Sequence, residues 1–164
     1  MSDHVDEIVE QWRRERPDLD VSSLALVGRL FRAASLADVP LSAGLDVHGL
    51  RPGWFDLLAA LRRSGPPYEL SPTELMRTTL LSSGGMTKRI DRLEDEGFIE
   101  RRPDPQDRRG TLIRLTRRGR ERVDSALEAH LRNEDELLAA LSPDERAELD
   151  GLLRKLLGEL EGDA

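Results

Sequence analysis

The residues best placed to do chemistry lie between positions 82 and 109, and their chemistry is recognition rather than bond making. Met86, Ile90 and Leu93 recur at i, i+4 and i+7, so one face of a helix turns inward. Ser82, Ser83, Thr87, Lys88 and Arg92 put short hydroxyls and cations elsewhere on the same stretch. A thin helix edge of that kind suits the DNA major groove, about 12 Å wide, where arginine pairs bidentately with guanine and lysine acts as a point charge. Gly84-Gly85 removes side-chain bulk where such a helix would approach a duplex, and Gly97 is placed to end it. Two strand-like runs follow, Phe98 to Arg102 and Thr111 to Leu115, joined by PDPQDRRG, a stretch of turn formers. Its basic tip holds Arg108 and Arg109, and Arg109 is expected to enter the narrow minor groove, where the potential is most negative. Asp107 is expected to orient that arginine or a neighbour through a charge-assisted bond. A helix followed by a basic two-stranded ribbon is the layout of a winged helix-turn-helix.

The rest of the composition excludes other chemistries. No cysteine is present, so there is neither a thiol nucleophile nor a thiolate metal site. His4, His48 and His130 are scattered and no serine sits in a nucleophile motif, so an enzyme is not expected; nor is a metal or any other cofactor. No apolar run approaches the roughly 20 residues of a membrane span and the acidic N-terminus is no signal peptide, which predicts a cytoplasmic protein with no membrane partner. The net charge of −7 on 164 residues argues at first against nucleic acid. Its distribution argues otherwise. Residues 101–122 hold nine arginines against three acids, a local basic patch that attracts phosphate while the acidic remainder opposes indiscriminate binding.

The surrounding pattern is mainly helical, with apolar stripes and caps that place these residues. A short helix over residues 3–16 carries Val5, Ile8, Val9 and Trp12. A second starts at Ser22 or Ser23 and is expected to kink or end near Val39, because Pro40 lacks a backbone donor; residues 41–51 then read as a connection. Pro52 opens a third helix with Leu57, Leu58 and Leu61 inward and Asp56 beside them, closed by Gly65-Pro66-Pro67. Tyr68 to Leu70 is a candidate edge strand. Ser71-Pro72-Thr73-Glu74 is a capping box for a two-turn helix, and the turn through residues 78–81 leads to a Ser82 cap, which makes a helix-turn-helix. Thr116 caps a helix predicted over 117–140, and Ser142 to Glu145 form a second capping box before a leucine-rich last helix. The terminal stripes have little to bury against in one chain, so a second copy is the natural partner. The division expected is N-terminal helices over 1–51, a winged helix-turn-helix lobe over 52–116 and C-terminal dimerisation helices over 117–164. The fold class is mainly α with a small β-wing.

Over nearly its full length the chain resembles the MarR family of winged-helix regulators. The stretch LSSGGMTKRIDRLEDEGFIERRPDPQDRRGTLIRLTRRGRE carries the resemblance most strongly, and the family's Asp-x-Arg wing motif falls on Asp107-Arg108-Arg109. The resemblance implies a ligand-responsive repressor, a homodimer built by the first and last helices, and a pseudo-palindromic double-stranded operator. It also implies a small-molecule effector. A narrower similarity is to the urate-responsive and PecS-like branch. That branch has a tryptophan in an extra N-terminal helix, an aspartate before the helix-turn-helix, an arginine in the recognition helix and an arginine at the wing base. Trp12, Asp56, Arg89 and Arg101 fill those positions. By that resemblance an anionic planar ligand such as urate lies near Trp12 and Arg101, repels Asp56, disturbs an Asp56–Arg89 pair and tilts the recognition helix. Two alternatives stay open: a regulator of a phenolic or carboxylic-acid response, and a winged-helix protein-interaction module without DNA binding.

Overall fold

The computed structural model describes residues 2–79, 85–107 and 109–162. Among them are seven helices and three strands: α1 (His4–Glu15), α2 (Ser22–Asp46), α3 (Pro52–Arg63), β1 (Glu69–Leu70), α4 (Pro72–Thr78), α5 (Met86–Asp95), β2 (Ile99–Pro103), β3 (Thr111–Leu115), α6 (Arg117–Leu137) and α7 (Pro143–Gly162). The chain divides into two compact units, residues 1–43 and 44–164. The mainly helical class with a small wing is therefore observed.

In the first unit, α1 starts at a reciprocal capping box between Asp3 and Asp6, which satisfies backbone donors the first turn cannot pair internally. Val5 and Val9 are its buried side chains. Arg29 on α2 bonds to the carboxylates of both Asp3 and Asp6. That pairing ties α2 to the cap of α1.

The expected break at Pro40 does not occur. Pro40 lies inside α2, which runs on to Asp46, and the connection shrinks to residues 47–51. A proline removes one intrahelical bond at a cost of about 3 kcal/mol. Leu45 in the last turn and Leu50 just beyond are both buried in the core of the second unit. Burying two leucines contributes roughly 1.5–3 kcal/mol each, enough to offset that loss. The helix ends where Gly49 takes φ +65° and Leu50 N–H bonds back to the Leu45 carbonyl, a glycine-terminated stop.

The second unit is built around Leu57, Leu58 and Leu61 of α3, Leu75 of α4, Met86, Ile90 and Leu93 of α5, the inward residues Ile99, Ile113 and Leu115 of the sheet, and Val123 and Ala126 of α6. The sheet order is β1-β3-β2, all antiparallel, so the two-residue β1 is an edge strand as expected. Ile99 pairs with Leu115 and Arg101 with Ile113. Arg101 thus shares the core-facing side of the sheet, whereas Arg114 lies on the other side between Glu69 and Glu100. α6 begins at Thr116, whose hydroxyl accepts from Gly119 N–H; a Cβ on Gly119 would overlap the Phe98 carbonyl oxygen, so only glycine allows this approach. α6 ends at Leu137, three residues short of the predicted end, before the capping box in which Ser142 and Glu145 exchange bonds.

Candidate nucleic-acid interface

α5 presents its polar face as the spacing predicts. Met86, Ile90 and Leu93 are buried, and Thr87, Lys88 and Arg92 are exposed. Among the described residues the ion-pair partner of Arg92 is a distant one, Asp95 at 3.9 Å, which leaves its guanidinium available for other contacts. The helix opens at Gly85 with φ +82° and no side-chain cap. A residue with a Cβ pays about 1–2 kcal/mol in that left-handed conformation, so Gly85 is needed for the turn into α5 itself. Ser82, Ser83, Gly84 and Arg108 lie outside the described residues.

At the wing tip the aspartates shape the backbone. Asp107 Oδ1 accepts from Arg109 N–H at 2.9 Å, and Asp104 Oδ1 accepts from Gln106 N–H at 2.8 Å. Two successive Asx turns thus carry Arg109, which is exposed. Asp107 reaches Arg109 through the backbone amide; the neighbour that the expected charge-assisted bond also allowed, Arg108, lies outside the described residues.

The arginine cluster between 101 and 122 does not form one surface. Arg101 bonds to Asp91 and Glu94 on α5, and its backbone N–H donates to Glu94 at 2.9 Å. Arg118 and Arg122 stack over the buried Phe98 ring, 5.1 and 5.7 Å from its centroid. Arg114, Arg117 and Arg120 line an open groove of about 410 Å³ beside Pro66, Pro67 and Tyr68. There Arg117 pairs with Glu121 at 2.7 Å and Arg120 stacks over Tyr68 at 5.7 Å. The outward face of α5 and the exposed Arg102 and Arg109 of the wing are cationic features without a close ion pair among the described residues, and Arg117 stays exposed despite its pair.

Behind α5, Asp56 is half-buried on α3, and burial pushes its carboxyl above the ordinary range. Electrostatic attraction from the side of His130, Arg63 and Arg89 opposes that rise. The Arg89 side chain lies against Gly53 at the start of α3, where a Cβ would meet its Nε at 2.8 Å. His130 of α6 packs its ring 4.7 Å from Phe55 and pairs through Nε2 with Glu134 at 3.2 Å. Its Nδ1 is buried without a hydrogen-bond partner among the described residues. Arg63 donates to the Thr78 carbonyl at the end of α4.

Of the four residues grouped by resemblance, the structure brings Asp56 and Arg89 together. Arg101 is elsewhere: at about 100° per residue, Arg89 and Glu94 flank the buried stripe of α5 on opposite sides. Trp12 belongs to the first unit, where it is 46% exposed. Sequence reasoning missed Arg63, His130 and the carboxylates that hold Arg101. The available signal was spacing, since Asp56 and Arg63 are seven apart and so share a face of α3.

Comparisons with known proteins agree with this geometry. Residues 48–110 match the MarR family. The chain is 39% identical over 157 residues to the HTH-type transcriptional regulator PecS of Dickeya dadantii, covering 96% of this chain and 92% of that protein. The multiple antibiotic resistance protein MarR of Salmonella typhimurium is 35% identical over 104 residues, 63% of this chain and 70% of that one. Among solved structures, a mutant MarR from E. coli complexed with operator DNA superposes with a TM-score of 0.73 at 29% identity, covering 84% of this chain and 97% of that one. Sco3205, a MarR family regulator from Streptomyces coelicolor in complex with DNA, gives 0.77 at 24% identity over 87% and 89%. No described helix is long and apolar enough to cross a membrane. With a winged helix-turn-helix whose buried and exposed faces match its sequence, and with PecS matched over almost its whole length, this chain belongs to the MarR family of DNA-binding transcriptional regulators.

Proposed function

We propose that this regulator is a cytoplasmic homodimeric repressor, released from a pseudo-palindromic operator by a small anionic or aromatic effector, with urate the first candidate. The observation that carries the reading is the outward face of α5, where Thr87, Lys88 and Arg92 stand opposite a fully buried apolar stripe. Two such helices in one dimer would enter successive major grooves about 34 Å apart, joined by Ser82 and Ser83 at the preceding turn. Arg108 and Arg109 would reach the minor groove from the wing. Dimerisation is supported by the apolar side chains left exposed on α2, α6 and α7, Phe31, Leu131, Leu152 and Leu157 among them. In this scheme residues 1–51 and 117–164 pair the copies and residues 52–116 read DNA.

The effector reading rests on Asp56. A half-buried carboxylate held by surrounding cations is sensitive to a second anion, and an effector shifts the population of states by its differential affinity for them. Trp12, Arg89 and Arg101 are the further residues assigned to that site by family resemblance. A structural neighbour at 22% identity was solved with 2,4-dichlorophenol, which keeps a phenolic effector as the second reading. A gel shift with the chain's own upstream region tests DNA binding, and absence of a shift would favour a protein-interaction module. Urate, salicylate and citrate titrated into a thermal melt test the effector, because a ligand that binds only the native state raises its melting temperature.

A further inference from the structure

We propose that Arg101 is a positioning residue for DNA binding, which screens the Asp91 carboxylate on the duplex-facing side of α5. Asp91 follows Thr87 by four residues and Lys88 by three, so the three share one face of the helix. It is exposed, like Thr87, Lys88 and Arg92 around it. An uncompensated carboxylate among those groups would meet phosphate as a like charge. Asp95 is the other acid on that face, but it lies in the last turn, away from the N-terminal residues that a recognition helix turns to the bases.

The wing strand supplies the counter-charge. Cross-strand register sets Arg101 opposite Ile113, on the core-facing side of the sheet. From there its guanidinium bonds to Asp91 through Nη2 and to Glu94 through Nη1. The two carboxylates stand in different places. Glu94 is half-buried, four residues after the buried Ile90 and so at the edge of the apolar stripe. It also accepts from the Arg101 backbone N–H at 2.9 Å, which anchors the strand to the helix. Asp91 takes a single bond, and its side chain is 54% exposed. That bond puts a positive charge beside the acid in the middle of the outward face. Exposed pairs add little to stability, but a charge facing a row of phosphates acts on all of them within a screening length.

The inference rests on the reading above that α5 faces the duplex, and the experiment separates the two. Affinity is measured by fluorescence anisotropy for the chain's own upstream region and for a scrambled duplex of the same length, at one salt concentration and below the melting temperature of every variant. Arg101→Met is expected to weaken binding to both duplexes about five-fold, because repulsion by phosphate is indifferent to sequence. Adding Asp91→Asn to that variant is expected to restore most of the loss, and to tighten binding more there than it does in the wild type. Adding Glu94→Gln instead is expected to recover less. Arg101→Gln replaces Arg101→Met in the cycle if the methionine variant does not fold. An equal effect of Asp91→Asn in both backgrounds overturns the screening. So does a double variant that binds no better than Arg101→Met, which would leave Arg101 a plain strut or a phosphate contact of its own. A loss on Asp91→Asn confined to the upstream region would make Asp91 a base reader and overturns it too. Lys88→Ala checks the underlying reading. If it binds both duplexes as the wild type does, α5 is not at the duplex and the screening falls with that reading; if it binds more weakly while Asp91→Asn fails to rescue Arg101→Met, the screening alone falls.

Discussion

Replacing Arg101 by methionine separates two roles for one residue, a strut between wing and recognition helix and a ligand contact. The guanidinium bonds to Asp91 and Glu94 at once, with its side chain 34% exposed and theirs 54% and 36%. Exposed ion pairs are worth about 0.2–1 kcal/mol each, and two pairs sharing one arginine in a partly screened site reach about 1–2 kcal/mol. Methionine keeps most of the apolar stem, so the loss is that of the network rather than of packing. For a chain of this length 1 kcal/mol shifts the melting temperature by roughly 2–4 °C, so Arg101→Met is expected to melt about 2–8 °C lower. The decisive measurement is a double-mutant cycle with Glu94→Gln, read by urea or thermal unfolding at fixed protein concentration. Partners in one network do not add, and the double variant should lose about 1 kcal/mol less than the two singles together. Strict additivity, or a single variant that melts with the wild type, refutes the strut.

Three further perturbations follow from the same geometry. Arg109→Ala should weaken binding to every DNA sequence and lower the log–log salt slope by about 0.9 for each wing that loses a phosphate-region contact; an unchanged slope removes the wing from binding. Asp56→Asn should keep effector binding roughly intact and blunt effector-induced release in a gel shift, with normal release refuting the link. Because burial raises the Asp56 pKa in the fold, the folded state holds this proton more tightly than the unfolded chain. Its contribution to stability therefore falls as pH climbs from about 3.9 through the raised folded value and is constant above it, so Asp56→Asn should lose that part of the pH dependence in melts taken from pH 4 to 7. Gly119→Ala drives a methyl into the Phe98 carbonyl oxygen, and should cost about 3 kcal/mol or more in a denaturant melt; a variant as stable as the wild type would contradict the close approach of α6 to the Phe98 backbone just before β2.

What could be read directly were the features set by neighbours in the chain. Helical periodicity placed Met86, Ile90 and Leu93 inside and Thr87, Lys88 and Arg92 outside, because side-chain direction in a helix depends only on position around its axis. The capping boxes at Ser71 and Ser142 and the glycine stop at Gly97 likewise depend on contacts within four residues. Pro40 misled because the local cost of a proline is fixed while its compensation, the burial of Leu45 and Leu50, comes from residues distant in sequence.

The chain of amino acids by itself determined a basic winged helix-turn-helix within an acidic protein, since charge, cap and period are properties of short stretches. Only the tertiary structure decided what each arginine does. Cross-strand register sends Arg101 toward α5 and Arg114 away from it, Phe98 draws Arg118 and Arg122 onto its ring, and Arg63 reaches across to α4. A guanidinium takes whichever partner the packed helices and strands bring within a few ångströms, and nothing in linear order specifies that meeting.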